Sequence, residues 1–173
     1  MDSEMVSRMT VRDAEAADVP VLTAIKENGT EALHRDRLRD AQGTGFRYLV
    51  LLKQQEIIGF ACLVFLRPAY WSDGNDTHHL PQVVDLMVRK SHRGQGYGSA
   101  FMREIEHIAC EAGAEALYIP VEPLDNPRAY TLYRRLGYEQ IQAEPYQTIW
   151  EFQDSEGKMH RGEAWIVDLV KQL

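Results

Sequence analysis

Apolar and polar positions along the chain break into short runs. Residues 46–53 and 57–66 are rich in β-branched, aromatic and Leu residues and are parted by the polar Gln54-Gln55. That pattern predicts a β-hairpin. Upstream, 10–13 reads as a short strand. Asp13 or Asp18 can cap the helix after it, with Pro20 near the first turn, where a missing N–H costs little. Val21, Leu22 and Ile25 give this helix an apolar stripe. Residues 29–41 carry Leu33 and Leu38 among many charges, which predicts a second, mostly solvated helix ended by Gly43-Thr44-Gly45.

Residues 67–81 hold two prolines, Gly74 and several Asp and Asn residues, so they read as a loop long enough to be functional. Residues 83–88 are strand-like. Residues 99–112 show helical spacing at Phe101, Met102, Ile105, Ile108 and Ala109, closed by Gly113. Another strand follows at 116–121. Asn126 can cap a helix that has Pro127 at its first position and runs to about Leu136, before Gly137. Strands at 146–153 and 163–170 flank the turn Asp154-Ser155-Glu156-Gly157. With no repeat or linker in view, the expectation is one α+β domain over residues 1–173.

Between a strand and a helix stands Arg93-Gly94-Gln95-Gly96-Tyr97-Gly98-Ser99. Glycines let the backbone turn tightly and let a ligand approach. The first amides of a helix lack internal partners and carry the positive end of its dipole, so this junction suits a phosphate. Arg93 could add a charge-assisted hydrogen bond. A tight turn without a ligand is the alternative. A Walker A loop fails because Ser99 and Ala100, not Lys and Ser or Thr, follow Gly98. A dinucleotide fingerprint fails because its third glycine would fall on Ser99.

The loop resembles the acyl-CoA signature of the GNAT acetyltransferase superfamily, Gln/Arg-x-x-Gly-x-Gly/Ala, with Arg93, Gly96 and Gly98 in its fixed places and Val88 ending the preceding strand. Residues 126–138 are similar to the family's Asn-x-x-Ala-x-x-Leu-Tyr-x-x-x-Gly-Phe segment through Asn126, Ala129, Leu132, Tyr133 and Gly137, with Tyr138 in place of Phe. The resemblance covers residues 80–140 well and the N-terminal part more loosely. It implies a central mixed, mostly antiparallel sheet flanked by helices. It also implies acetyl-CoA as co-substrate, held by Leu86, Met87 and Val88 along the strand edge, by Arg93, Gly94, Gln95, Gly96, Tyr97, Gly98 and Ser99 in the loop, and by Asn126 and Tyr133.

The remaining composition narrows the function. A net charge of −7 argues against general nucleic-acid binding, which needs excess Lys and Arg. No apolar run approaches the roughly 18 residues that span a bilayer. Met1-Asp2-Ser3-Glu4 does not resemble a secretory leader, so a cytoplasmic place is expected. Cys62 and Cys110 sit in apolar patterns and read as buried thiols. His34-Arg35-Asp36 mimics a kinase catalytic loop, but Ala41 stands where that motif needs Asn, so it reads as a solvated helix face. His78 and His79, near Asp73 and Asp76, match no metal spacing, and no metal is expected.

The chemistry implied is attack of an amine on the thioester. A carboxylate would take the amine's proton; Asp85, inside an apolar strand, is favoured over Glu122 at the end of the next. A backbone N–H at the Val88 end would meet the oxyanion. Tyr133 matches the family's general acid for the leaving thiolate. A small-molecule amine is the expected acceptor, with no nucleic acid or membrane partner, and a homodimer is compatible. A non-catalytic acyl-CoA-binding module on the same fold is the alternative.

Overall fold

The computed structural model describes residues 9–26, 29–66 and 79–173. The strands are β1 Met9–Asp13, β2 Phe46–Lys53, β3 Glu56–Val64, β4 Gln82–Val88, β5 Ala116–Val121, β6 Glu139–Gln140, β7 Tyr146–Gln153 and β8 Met159–Gln172. The helices are α1 Val19–Ile25, α2 Glu31–Asp40, α3 Tyr97–Glu111 and α4 Pro127–Arg135. The strands join in the order β1-β2-β3-β4-β5-β8-β6, with β7 paired to β8. Every pairing is antiparallel except β4 with β5, so the sheet is mixed and mostly antiparallel as expected.

Alternation along the strands builds a core on each face of the sheet. On one face Leu117, Ile119 and Val121 of β5 meet Phe101, Met102, Ile105 and Ala109 of α3 and Tyr133 of α4. On the other, Tyr48 and Val50 of β2 and Phe60 and Cys62 of β3 meet Leu22 and Ile25 of α1. Each large apolar side chain removed from water contributes about 1.5–3 kcal/mol.

Two features position the site. First, β4 and β5 pair at Gln82↔Tyr118 only, next to a hydrogen bond from the Tyr118 amide to the Pro81 carbonyl (2.9 Å). Beyond that point the parallel strands have no further paired residues, which leaves a gap in the ladder toward Val88 and Val121. Second, β4 carries a bulge. Phe60 faces Met87 and Cys62 faces Val84, so Asp85 and Leu86 together lie opposite Ala61. Asp85 has a positive φ of 55°.

Several expectations change. Of α2, the supposedly solvated helix, His34, Asp36 and Arg37 are buried. Cys62 is buried, but Cys110 is exposed on α3, because the buried stripe of that helix runs through Tyr97, Ala100, Phe101, Met102, Ile105 and Ala109 and leaves Cys110 on the other side. β8 starts four residues earlier than expected and pairs with β7 along its first half, and β6 was not foreseen. The expected loop from 67 lies outside the described residues up to 78.

Candidate active site

β4 ends at Val88. A turn over Lys90–His92 then leads to Arg93 and the glycines. Gly94 and Gly96 take φ of 75° and 87°, the left-handed region where glycine is at ease. Gly96 caps α3, and its carbonyl accepts the first helical hydrogen bond, from the Ala100 amide (3.0 Å). The amides of Tyr97, Gly98 and Ser99 therefore open the helix without internal acceptors, at the positive end of a 15-residue dipole. At Gly98 a Cβ would stand 3.4 Å from Leu132, so α3 and α4 approach closely there.

The side chains of the loop divide by task. Arg93 turns back, and its Nε donates to the Val88 carbonyl at 2.8 Å, tying the loop to the strand end. Gln95 donates to the Ser91 carbonyl at 2.9 Å. The Tyr97 ring is buried in the core under the Lys53 ammonium (5.1 Å), with the His92 ring edge-on to it at 5.8 Å. The Asn126 side chain accepts from the Ala129 amide at 3.3 Å and caps α4. Arg128, not foreseen from the sequence, lies beside Gly94: a Cβ there would come 3.9 Å from its Nη2.

Along β4 the Arg89 amide donates to the Ile58 carbonyl at 2.7 Å. Alternation then turns the Val88 N–H to the opposite edge, toward the gap with β5. From the α4 side Tyr133 enters this region, buried, its ring 6.0 Å from Tyr138. No hydrogen bond holds its hydroxyl among the described residues. Burial, and then the negative charge of Asp85, push its pKa up to about 12.

Asp85 faces the α1/α2 side and is not free. Lys26 Nζ donates to both its oxygens at 2.8 Å, and Arg37 Nη2 donates to Oδ2 at 2.6 Å. Burial alone would raise its pKa, but Arg37 and Lys26 outweigh that and hold it at about 2. Glu122 directly follows β5, next to Val121, which points into the α3/α4 core, and its carbonyl accepts from the Asn126 amide at 2.8 Å. It is half-buried, and burial followed by the charge of Asp125 raises its pKa. Around Arg37, burial and the guanidinium lower His34 to about 4, and burial pushes the Cys62 thiol up to about 12. Neither Lys26 nor Arg37 was foreseen: α2 carries no apolar stripe to mark the buried face of Arg37, and Lys26 is a polar residue just past the end of α1. His79 is described and His78 is not; no group of acidic, His or Cys residues suited to a metal occurs among the described residues.

The strand pair that stops after one bridge, the glycine loop capping α3 and the capped helix α4 all lie within residues 12–138, which match the model of the acetyltransferase (GNAT) family. The chain belongs to the GNAT acetyltransferase family. No curated protein sequence matches it. Solved structures share the GNAT fold along nearly its whole length. The yncA protein of Salmonella typhimurium, determined with its cofactor acetyl-CoA, is 18% identical over 96% of this chain and 94% of its own, with a TM-score of 0.68. The ribosomal-protein-alanine N-acetyltransferase of Brucella melitensis is 21% identical over 95% and 99%, with a TM-score of 0.66. The spermidine N-acetyltransferase of Vibrio cholerae, determined with CoA and spermine, is 16% identical over 96% of each chain, with a TM-score of 0.68. No described helix of this GNAT chain is long and apolar enough to cross a membrane.

Proposed function

We propose that the protein is an N-acetyltransferase that passes the acetyl group of acetyl-CoA directly to a primary amine of a small molecule. The observation that carries this reading is the gap between β4 and β5, with the free amides of α3 at one end and the Tyr133 hydroxyl beside it. The pyrophosphate would lie on the amides of Tyr97, Gly98 and Ser99, with Arg128 and the loop glycines beside it. The pantetheine arm would run along the edge of Leu86, Met87 and Val88. Structures of a similar fold determined with acetyl-CoA, and with CoA and spermine, support this cofactor and a small amine acceptor.

Attack converts the thioester carbonyl to an oxyanion, which the Val88 N–H is turned to receive. Collapse breaks the C–S bond, and Tyr133 donates its proton to the leaving thiolate. The raised pKa keeps that hydroxyl protonated at neutral pH, so that it can hydrogen-bond to the sulfur as charge develops there and pass its proton as the C–S bond breaks. Cys62 is fully buried with its thiol raised to about 12, and Cys110 lies at the end of α3 opposite the glycine loop, so neither thiol offers a nucleophile for an acyl-enzyme at the gap, which favours direct transfer.

For the base, Glu122 replaces Asp85. A carboxylate held at about 2 by two cations is a weak proton acceptor, whereas burial and Asp125 make Glu122 more basic. Glu122→Gln should lower turnover at neutral pH by about a hundredfold or more, within the usual range for a positioned acid or base. The deficit should shrink toward the amine's own pKa, roughly 10.4 for an alkylamine, where free amine needs no base. A deficit equal at every pH would remove Glu122 from this role. Initial rates varied in both substrates test the reaction order: direct transfer gives intersecting reciprocal plots, and parallel lines would contradict it.

A further inference from the structure

A non-glycine residue at positive φ is uncommon, although Asp is among those that tolerate it. Asp85 takes that conformation at the bulge of β4, and three elements converge on it. Lys26 reaches it from the end of α1, Arg37 from the middle of α2, and the bulge itself belongs to the strand that borders the gap. Arg37 is fixed in turn. Its guanidinium lies 5.7 Å from the Tyr48 ring and 6.0 Å from that of Phe60, and His34, one helical turn before it, has Nδ1 2.6 Å from the Tyr48 hydroxyl. Three residues after Asp85, the Val88 N–H faces the gap.

We propose that Lys26, Asp85 and Arg37 form a positioning triad: the two cations lock Asp85 in its left-handed conformation, and the bulge so fixed sets the course of β4 away from β5 and hence where the thioester is presented. The proposal rests on the acetyl-CoA reading of this gap. In this role Asp85 acts through the backbone of its strand. It also makes the α1/α2 face and the cofactor strand one frame, so that cations on that face govern cofactor affinity from a distance.

Two triple variants test this, because each removes all three charges and leaves none buried alone. Lys26→Met/Asp85→Gly/Arg37→Met should bind acetyl-CoA within about threefold of wild type by calorimetry, since glycine takes positive φ without a lock. Lys26→Met/Asp85→Val/Arg37→Met should lose about tenfold or more, since a β-branched residue resists that conformation. Lys26→Met alone keeps the Arg37 pair and the fold, and should weaken binding by about threefold, with the acetyl-CoA contacts themselves untouched. Equal affinities in the two triple variants, or an unchanged affinity in Lys26→Met, would overturn the proposal. The Cα and Cβ chemical shifts of Asp85 read the lock without any cofactor. They should move away from left-handed values in Lys26→Met, which keeps Asp85 paired with Arg37, and unchanged shifts would equally overturn it. A wild-type protein that bound no acetyl-CoA would instead overturn the functional reading, while these shifts still decided the lock.

Discussion

Replacing Gly96 by Asp should leave the protein folded and weaken acetyl-CoA binding on the order of a hundredfold or more, about 2.7 kcal/mol. Gly96 caps α3 at a φ of 87°. Asp is a good helix cap and tolerates the left-handed region better than most residues, so the helix should survive. Its carboxylate would occupy the amides proposed to hold the pyrophosphate, and like charges brought together cost several kcal/mol. Gly96→Asn separates charge from bulk: it adds nearly the same atoms without the charge and should lose much less. Calorimetry on both, with melting curves to confirm the fold, reads the result. Unchanged affinity in a folded Gly96→Asp protein would remove the loop from the cofactor site.

Tyr133→Phe should lower kcat by about a hundredfold to ten-thousandfold, the usual contribution of a positioned general acid, while the acetyl-CoA dissociation constant moves by only a few-fold. Phenylalanine keeps the buried ring and its contact with Tyr138, so the core on the α3/α4 face should hold. Only the hydroxyl is lost, and it has no hydrogen-bond partner among the described residues whose loss would destabilise the fold. A Tyr133 that served only as core filler predicts near-normal kcat at matched stability. Pre-steady-state measurement of thiol release isolates the chemical step, and full-rate release by the Phe variant would leave the thiolate without its proposed donor.

The elements were legible where one face of a segment is apolar. The hairpin of β2 and β3, the stripe of α3 and the capped start of α4 follow from periodicity and from Asn126-Pro127. The glycine loop was legible because positive φ at a strand-to-helix junction leaves a mark in residue type, at Gly94 and Gly96. What periodicity cannot read is a polar side chain buried through its partner. α2 looked solvated because His34, Asp36 and Arg37 are hydrophilic, yet Arg37 is buried against Asp85 and two aromatic rings. Asp85 itself stood out in its strand, but its cations are 48 and 59 residues away, and no local pattern announces them. Asp168 is a further case. Its buried carboxylate accepts from the Tyr118 hydroxyl at 2.6 Å, from the Tyr146 hydroxyl at 2.9 Å and from the Gln142 amide. In the sequence it was one acid within an apolar strand.

The central claim is that the gap between β4 and β5 supports acetyl transfer to an amine and does more than bind a cofactor. The measurement that tests it most directly is release of free CoA from acetyl-CoA across a panel of primary amines, including polyamines, amino acids and aminoglycosides, with the N-acetylated product identified by mass. CoA release should depend on one class of amine, with one acetylated amine formed per thiol. Tight acetyl-CoA binding with no amine-dependent thiol release anywhere in the panel would contradict it and leave an acyl-CoA-binding module.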